Sequence, residues 1–167
     1  LHLEEPVQVV CREGKAEDLL GELAVQRIDL VLSDTPVTPT IRVRAFNHLL
    51  GSCGLSICGV PALVSKVRRR FPRSLDGAPV LLPTENTAVR QALEQWFLAE
   101  ELHPDVKGEF EDSALLEAFG EAGLGLFAVP SVLEREVQRQ YRVRTAGRLE
   151  SAQAQFFAIS TERRLKH

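Results

Sequence analysis

The chain has 167 residues, 44% hydrophobic and 26% charged, with a formal net charge of -3. This is the composition of an ordinary globular protein, long enough for one sizeable core or two small lobes. A net negative charge gives no long-range attraction for phosphate backbones, so any DNA contact must come from another domain or a localised patch.

No stretch of about eighteen apolar residues offers a membrane span, and no basic, apolar, small-residue leader opens the chain. The expected location is therefore the cytoplasm, with no membrane partner. Cys11, Cys53 and Cys58 match no zinc spacing and read as reduced thiols. There is no methionine, and "LHLEEPVQVVC" runs straight into a strand pattern, which reads as a segment of a longer polypeptide.

In chain order, residues 7–11 alternate as a short strand after Pro6. Ala16, Leu19, Leu20, Leu23 and Ala24 fall at helical spacing, with Glu17 and Asp18 at the end where the helix dipole favours them. Residues 28–34, "IDLVLSD", read as a strand covered on both faces, which makes a parallel strand–helix–strand unit. "TPVTPT" is a loop, because its prolines cannot supply ladder donors. Strands are expected at 41–50 and 55–60, with "GSCG" between them. Cys53 and Cys58, five apart, would then face opposite sides of a continuous strand, which argues against a metal pair.

A helix begins at Pro61, carries Leu63, Val64 and Val67 on one side, and stops at Pro72. Its end holds Lys66, Arg68, Arg69, Arg70 and Arg73, a basic run that reads first as a solvated surface and second as a DNA or subunit contact. "VLLP" at 80–83 is a short buried strand. The following helix has Val89, Ala92, Leu93, Trp96 and Phe97 on one face, with Thr84 or Asn86 as its cap. Then come the strand "VKGEF", the helix "SALLEAFGEA" with Leu115, Leu116, Phe119 and Ala122 on its apolar side, and Gly123 in the left-handed position past its end. The strand "GLGLFAV", a helix opened by Pro130 and bearing Val132, Leu133 and Val137, and a last strand at 154–160 complete the chain.

The strands end in polar residues: Ser33 and Asp34, then Thr84, Glu85 and Asn86, then Glu111, Asp112 and Ser113. Asp112 or Ser113 is first of all an N-cap. In folds built from such units, ligands also collect beyond the carboxyl ends of strands. Catalysis finds little support: His2 and His167 are terminal, His48 and His103 have no partner pattern, and no serine sits in a nucleophile motif.

The order of elements, with "EDLLGELAVQRIDLVLSD" and "GLGLFAVPS", resembles the effector-sensing domain of LysR-type transcriptional regulators. The strings "RAFNHLLGSCGLSICGVPAL", "LLPTENTAVRQALEQWF", "GEFEDSALLEAFGEAGLGLFAVPSV" and "FFAISTERRLKH" are similar to the members that activate sodium/proton antiporter genes. The resemblance implies an α/β, two-lobed fold like type 2 periplasmic solute-binding proteins, with the first lobe incomplete in this chain. Its lobes would be residues 1–56 with 156–167, and 57–155.

It also implies a regulator without catalytic residues or cofactor, which binds promoter DNA through an N-terminal winged helix-turn-helix outside this sequence and works as a dimer or tetramer. Dimerisation would use the first-lobe edge strand and the helix at 87–100. The implied effector is small, sodium or lithium, bound between the lobes by Ser33, Asp34, Thr84, Glu85, Asn86, Phe110, Glu111, Asp112, Ser113, Ala128 and Pro130. Asp34, Glu85, Glu111 and Asp112 would be the oxygen ligands of the ion. Ser56, Ile57, Cys58, Phe157 and Ala158 would form the hinge strands. The competing readings are a transport-type solute-binding protein of the same fold and a small lyase or dehydratase.

Overall fold

The structure is a computed structural model that describes residues 8–38, 43–85 and 87–163. His2, Asn86, His167 and the starts of the strands expected at 7 and 41 lie outside those residues. The chain divides into two units, residues 1–49 with 157–167 and residues 50–156, where the sequence reading divides it after 56 and after 155.

In the first unit, α1 (Ala16–Ala24) forms as its spacing predicts, with Glu17 and Asp18 in the first turn. Leu20 and Leu23 are buried against Val31, Phe157 and Ile159, while Ala16 and Ala24 stay exposed. The strand expected at 28–34 shortens to β1 (Val31–Ser33), and only one of its faces is covered: Val31 is buried and Leu32 is 69% exposed. β1 pairs antiparallel with the far end of the chain, Val31 opposite Ile159 and Ser33 opposite Phe157. The parallel unit expected here is not made, because residues 8–15 form no strand and Val9 and Val10 are exposed. Adjacent valines place one apolar side chain on each face of any strand, so this stretch has no single face to bury.

β2 (Phe46–Gly59) is one continuous strand through "GSCG", where the sequence reading puts a break. Glycine weakens a strand without ending it, and β2 lies between β6 (Arg144–Ser160) and β5 (Phe127–Pro130) in the order β1-β6-β2-β5, with β5 pairing at Leu55–Cys58, beyond the glycines. His48 Nε2 lies 3.1 Å from Ser160 Oγ in the first unit, which gives this histidine a strand-packing role.

The second unit contains α2 (Pro61–Val67), β3 (Pro79–Pro83), α3 (Ala88–Ala99), β4 (Asp105–Phe110), α4 (Ser113–Glu121), β5 and α5 (Glu134–Tyr141). β3 and β4 are parallel, with Pro83 opposite Phe110, as their strand–helix–strand pattern predicts. Leu126, just before β5, bridges Val80 in the parallel sense. β3 alternates between two cores. Val80 and Leu82 join Leu55, Ile57, Val64, Leu93, Trp96 and Phe97 on one side. Leu81 joins Cys58, Leu116, Phe127, Val129 and Val137 on the other. Helices therefore cover both faces of these strands, α2 and α3 on one and α4 and α5 on the other. Cys53 packs against the first core and Cys58 lies in the second, the opposite-face placement that their odd spacing predicts.

Several boundaries differ from expectation. Thr87 caps α3, its hydroxyl accepting the Arg90 N–H, while the Thr84 carbonyl accepts from Thr87. The helix expected from Pro130 starts at Glu134 after a 3-10 turn, leaving Val132 and Leu133 exposed. Only Leu116 of the four apolar residues on α4 is buried. Leu115 and Phe119 are half-exposed and Ala122 is exposed, because Gly120 takes the inward position beside them. Gly123 has φ +83°, the left-handed conformation that ends α4.

Two glycines make opposite predictions. A Cβ on Gly120 would lie 2.3 Å from the ring of Phe127, which is fully buried and has no room to move, whereas Gly21 in α1 has nothing within 4 Å. Helix propensity favours alanine by about 1 kcal/mol at either site. Overpacking costs about 1–3 kcal/mol and decides the sign at Gly120. Urea denaturation midpoints should fall for Gly120→Ala and rise for Gly21→Ala.

Candidate functional site

β3, β4 and β5 run in the same direction, and β3 and β4 are each followed by a polar corner leading into a helix. The Thr84 N–H donates to the Phe110 carbonyl at 3.0 Å, so the corners after β3 and β4 are joined directly. They bring together Thr84 and Glu85 on one side and Phe110, Glu111, Asp112 and Ser113 on the other. Glu85, Glu111, Asp112 and Ser113 are exposed, while Phe110 is half-buried against Phe119 with ring centres 5.1 Å apart. Asp112 is the N-cap of α4, its Oδ1 accepting the Leu115 N–H at 2.8 Å.

Ala128 and Pro130 lie on β5, opposite Ile57 and Leu55 of β2. Of the expected hinge residues, Ser56, Ile57 and Cys58 are buried in β2 within the second unit, and Phe157 and Ala158 pair with Ser33 and Leu32 in the first. Ser33 and Asp34 belong to the first unit. There the Ser33 hydroxyl accepts the Thr35 N–H at 3.1 Å, and Asp34 is exposed. Asn86 lies outside the described residues. Among those residues, no group of three or more His, Cys, Asp or Glu side chains is placed to hold a metal ion.

Two ion-pair systems that the sequence reading does not identify hold these corners. Arg90 of α3 is buried, yet it donates to the Pro83 carbonyl at 2.9 Å, to Glu109 at 2.9 Å and to Glu94 at 2.6 Å. It thereby ties the last residue of β3, the penultimate residue of β4 and its own helix together. Burial works against its charge, but the bonds to Glu94 and Glu109 outweigh that and raise its pKa. The signal was available: Arg90 lies three and seven residues before the buried Leu93 and Phe97, on the core side of α3.

Glu134, at the start of α5, accepts the Ser56 hydroxyl at 2.6 Å and the Arg148 guanidinium at 2.9 and 3.3 Å. Gln138 donates to Glu134 at 3.4 Å and to the Thr145 hydroxyl at 2.6 Å. One carboxylate thus joins β2, α5 and β6. The Arg148 bond, aided by Ser56, overcomes burial and holds the Glu134 pKa below its ordinary 4.5. Burial pushes the Cys58 thiol up to about 11, which makes it an inert core residue.

Arg90→Leu should leave the Pro83 carbonyl without its donor and cost about 1–3 kcal/mol. Amide exchange at Thr84 should accelerate while that of Leu23 in the first unit stays slow. For Glu134 the folded pKa is depressed, so its contribution is full above pH 4.5 and is lost as pH falls through the folded value. Wild type should therefore lose stability more steeply on acidification than Glu134→Gln. Superimposable slopes in acid denaturation would show that the pair contributes nothing.

The profile of the LysR substrate binding domain matches residues 5–166. The transcriptional activator protein NhaR of Escherichia coli strain K12 is 30% identical over 164 residues, 98% of this chain and 53% of that protein, so the chain spans about half the length of this curated relative. The regulatory domain of HypT from Salmonella typhimurium in its apo form has a TM-score of 0.68 at 15% identity, covering 98% of this chain and 79% of that one. Vibrio fischeri DarR, solved in complex with DNA, has a TM-score of 0.66 at 15% identity over 91% of this chain and 51% of its own. These structures share the α/β, periplasmic-binding-protein-like fold of LysR effector-binding domains, which serves regulation rather than catalysis. With its profile match running through both units, the chain belongs to the LysR substrate binding domain family.

Proposed function

We propose that this chain is the effector-sensing and oligomerisation half of a DNA-binding transcriptional activator that controls a sodium/proton antiporter gene in response to sodium or lithium. The observation that carries this reading is the 30% identity to the activator NhaR across 98% of the chain. Promoter DNA would be bound by a winged helix-turn-helix outside these residues, in a homo-oligomer.

The corner chemistry supports a cationic effector. The helix starts behind β3 and β4 each present about half a positive charge, whereas Glu85, Glu111 and Asp112 carry three full negative charges. The balance is about two negative charges, which repels an organic carboxylate and attracts a hard cation. Asp112 already spends Oδ1 on the α4 cap and no three of these carboxylates are placed to share an ion, so a weakly held ion would draw on one or two of them, on backbone carbonyls and on water.

The test is the melting temperature of the chain in sodium, lithium and potassium chloride at one fixed ionic strength, which holds general screening constant. Sodium or lithium should give a saturable rise, equivalent to about 2.7 kcal/mol at a hundred times the dissociation constant, and potassium none. Asp112→Asn with Glu111→Gln should abolish the rise without unfolding α4, because asparagine caps as well as aspartate. A flat response to all three salts would remove the ion and leave the family assignment standing.

A further inference from the structure

Between residues 61 and 75 there is no acidic residue and there are five basic ones: Lys66, Arg68, Arg69, Arg70 and Arg73. All five are exposed, and among the described residues none makes an ion pair or a side-chain hydrogen bond. Some other cations are paired, among them Arg12 with Glu22, Arg90 with Glu94 and Glu109, Lys107 with Asp105 and Arg148 with Glu134, but no other stretch holds five cations without an acid. The nearest acid after the run, Asp76, accepts the His103 N–H at 2.8 Å.

The segment carrying these charges is fixed. Val64, Val67 and Leu75 are buried, Phe71 stacks on Trp96 at 6.4 Å, the Ser74 hydroxyl donates to the Val67 carbonyl, and the Leu75 N–H donates to Pro72 at 2.9 Å. Arg68–Arg70 form a 3-10 turn directly continuing α2, and a second such turn, Arg73–Leu75, packs beside it. A rigid backbone thus holds five cations in water, where they repel one another and only the helix dipole of α2 favours them.

We infer that this turn is a second DNA contact, an electrostatic platform on the sensor half that takes the phosphate backbone of the duplex held by the DNA-binding half. The inference rests on the regulator reading above. A protein partner fits the patch less well. Protein interfaces depend on buried apolar anchors, and no large hydrophobic residue between Leu50 and Leu98 is exposed. Phosphate contacts need only cations and carry no sequence requirement. The rest of the chain is acidic enough to bring the net charge to -3, so phosphates would be drawn to a local basic patch such as this one and not to the surface as a whole.

The test is fluorescence anisotropy of a labelled, arbitrary-sequence duplex of about 20 base pairs with this chain in about 50 mM potassium chloride, followed over rising salt. Wild type should bind in the range of about 1–100 μM, with a slope of log K on log salt near -3. Arg68→Gln, Arg69→Gln and Arg70→Gln together should weaken binding about thirtyfold or more and flatten the slope by about two to three. Arg27→Gln, Arg44→Gln and Arg135→Gln remove the same charge elsewhere and should leave the slope unchanged. No wild-type binding, an equal loss in both triple variants, or displacement of the duplex by an uncharged peptide as readily as by heparin would each overturn the platform. Potassium is the only cation used, so failure here does not touch the sodium and lithium reading.

Discussion

Everything in the second unit hangs on β3 being held on both edges at once. On one edge it pairs with β4 from Pro79 to Pro83, and on the other the Leu81 N–H donates to the Leu126 carbonyl at 2.7 Å while the Leu126 N–H donates to Pro79 at 2.8 Å. That second edge depends on Gly125. A Cβ there would lie 3.1 Å from the Val80 backbone and 3.2 Å from both Leu81 and the Pro79 carbonyl, so any other residue would push the two strands apart by a few tenths of an ångström. Once β3 is fixed, Val80 and Leu82 face one helical layer, Leu81 faces the other, and the corner residues Thr84, Glu85 and Phe110–Ser113 arrive at one end of the strands.

The polar clamps refine that arrangement. Arg90 acts from the side of α3, and its three partners are the carbonyl that ends β3, the carboxylate next to the end of β4 and a carboxylate one turn further along its own helix. Glu134 acts from α5 on the two longest strands of the molecule. In both clamps a charged group is shielded by the core but bonded to partners that satisfy it, the condition under which burial of charge is tolerated. Neither clamp is needed to choose the fold. Both restrict how far the corners of the candidate site and the crossing strands can move apart.

What the sequence revealed follows from how strongly each segment repeats. α1, α3 and α4 were legible because leucines and aromatics recur at helical spacing, and β3 because four apolar residues sit between turn signals. β6 was not legible before residue 154: its buried positions are Ala146, Leu149, Ala152 and Ala154, small and irregularly spaced among arginine, glutamate and glutamine. β2 was split in two because glycines at 51 and 54 signal a turn locally, while the ladders on either side are visible only in three dimensions. At the site, the Asp112 cap and the polar strand ends could be read directly. Glu134 could not, and Arg90 only as a charge on the core side of its helix, because a charged residue gives no local sign of its partners, here up to 78 residues away.

The pairing of β1 has a consequence for how the polypeptide is made. The second unit is a single contiguous stretch, residues 50–156, and can gather its contacts as soon as it leaves the ribosome. β1 emerges before that stretch, but its partners at residues 157–159 emerge more than a hundred residues after it. At about 5–20 residues per second that is a delay of several seconds, during which α1 and the edge of β1 have apolar groups and ladder bonds unmet. Within these residues the usual order is reversed: the stretch 50–156 can fold first, and the segment made before it completes itself last. During synthesis, therefore, chaperone dependence and premature association should concentrate on residues 16–33.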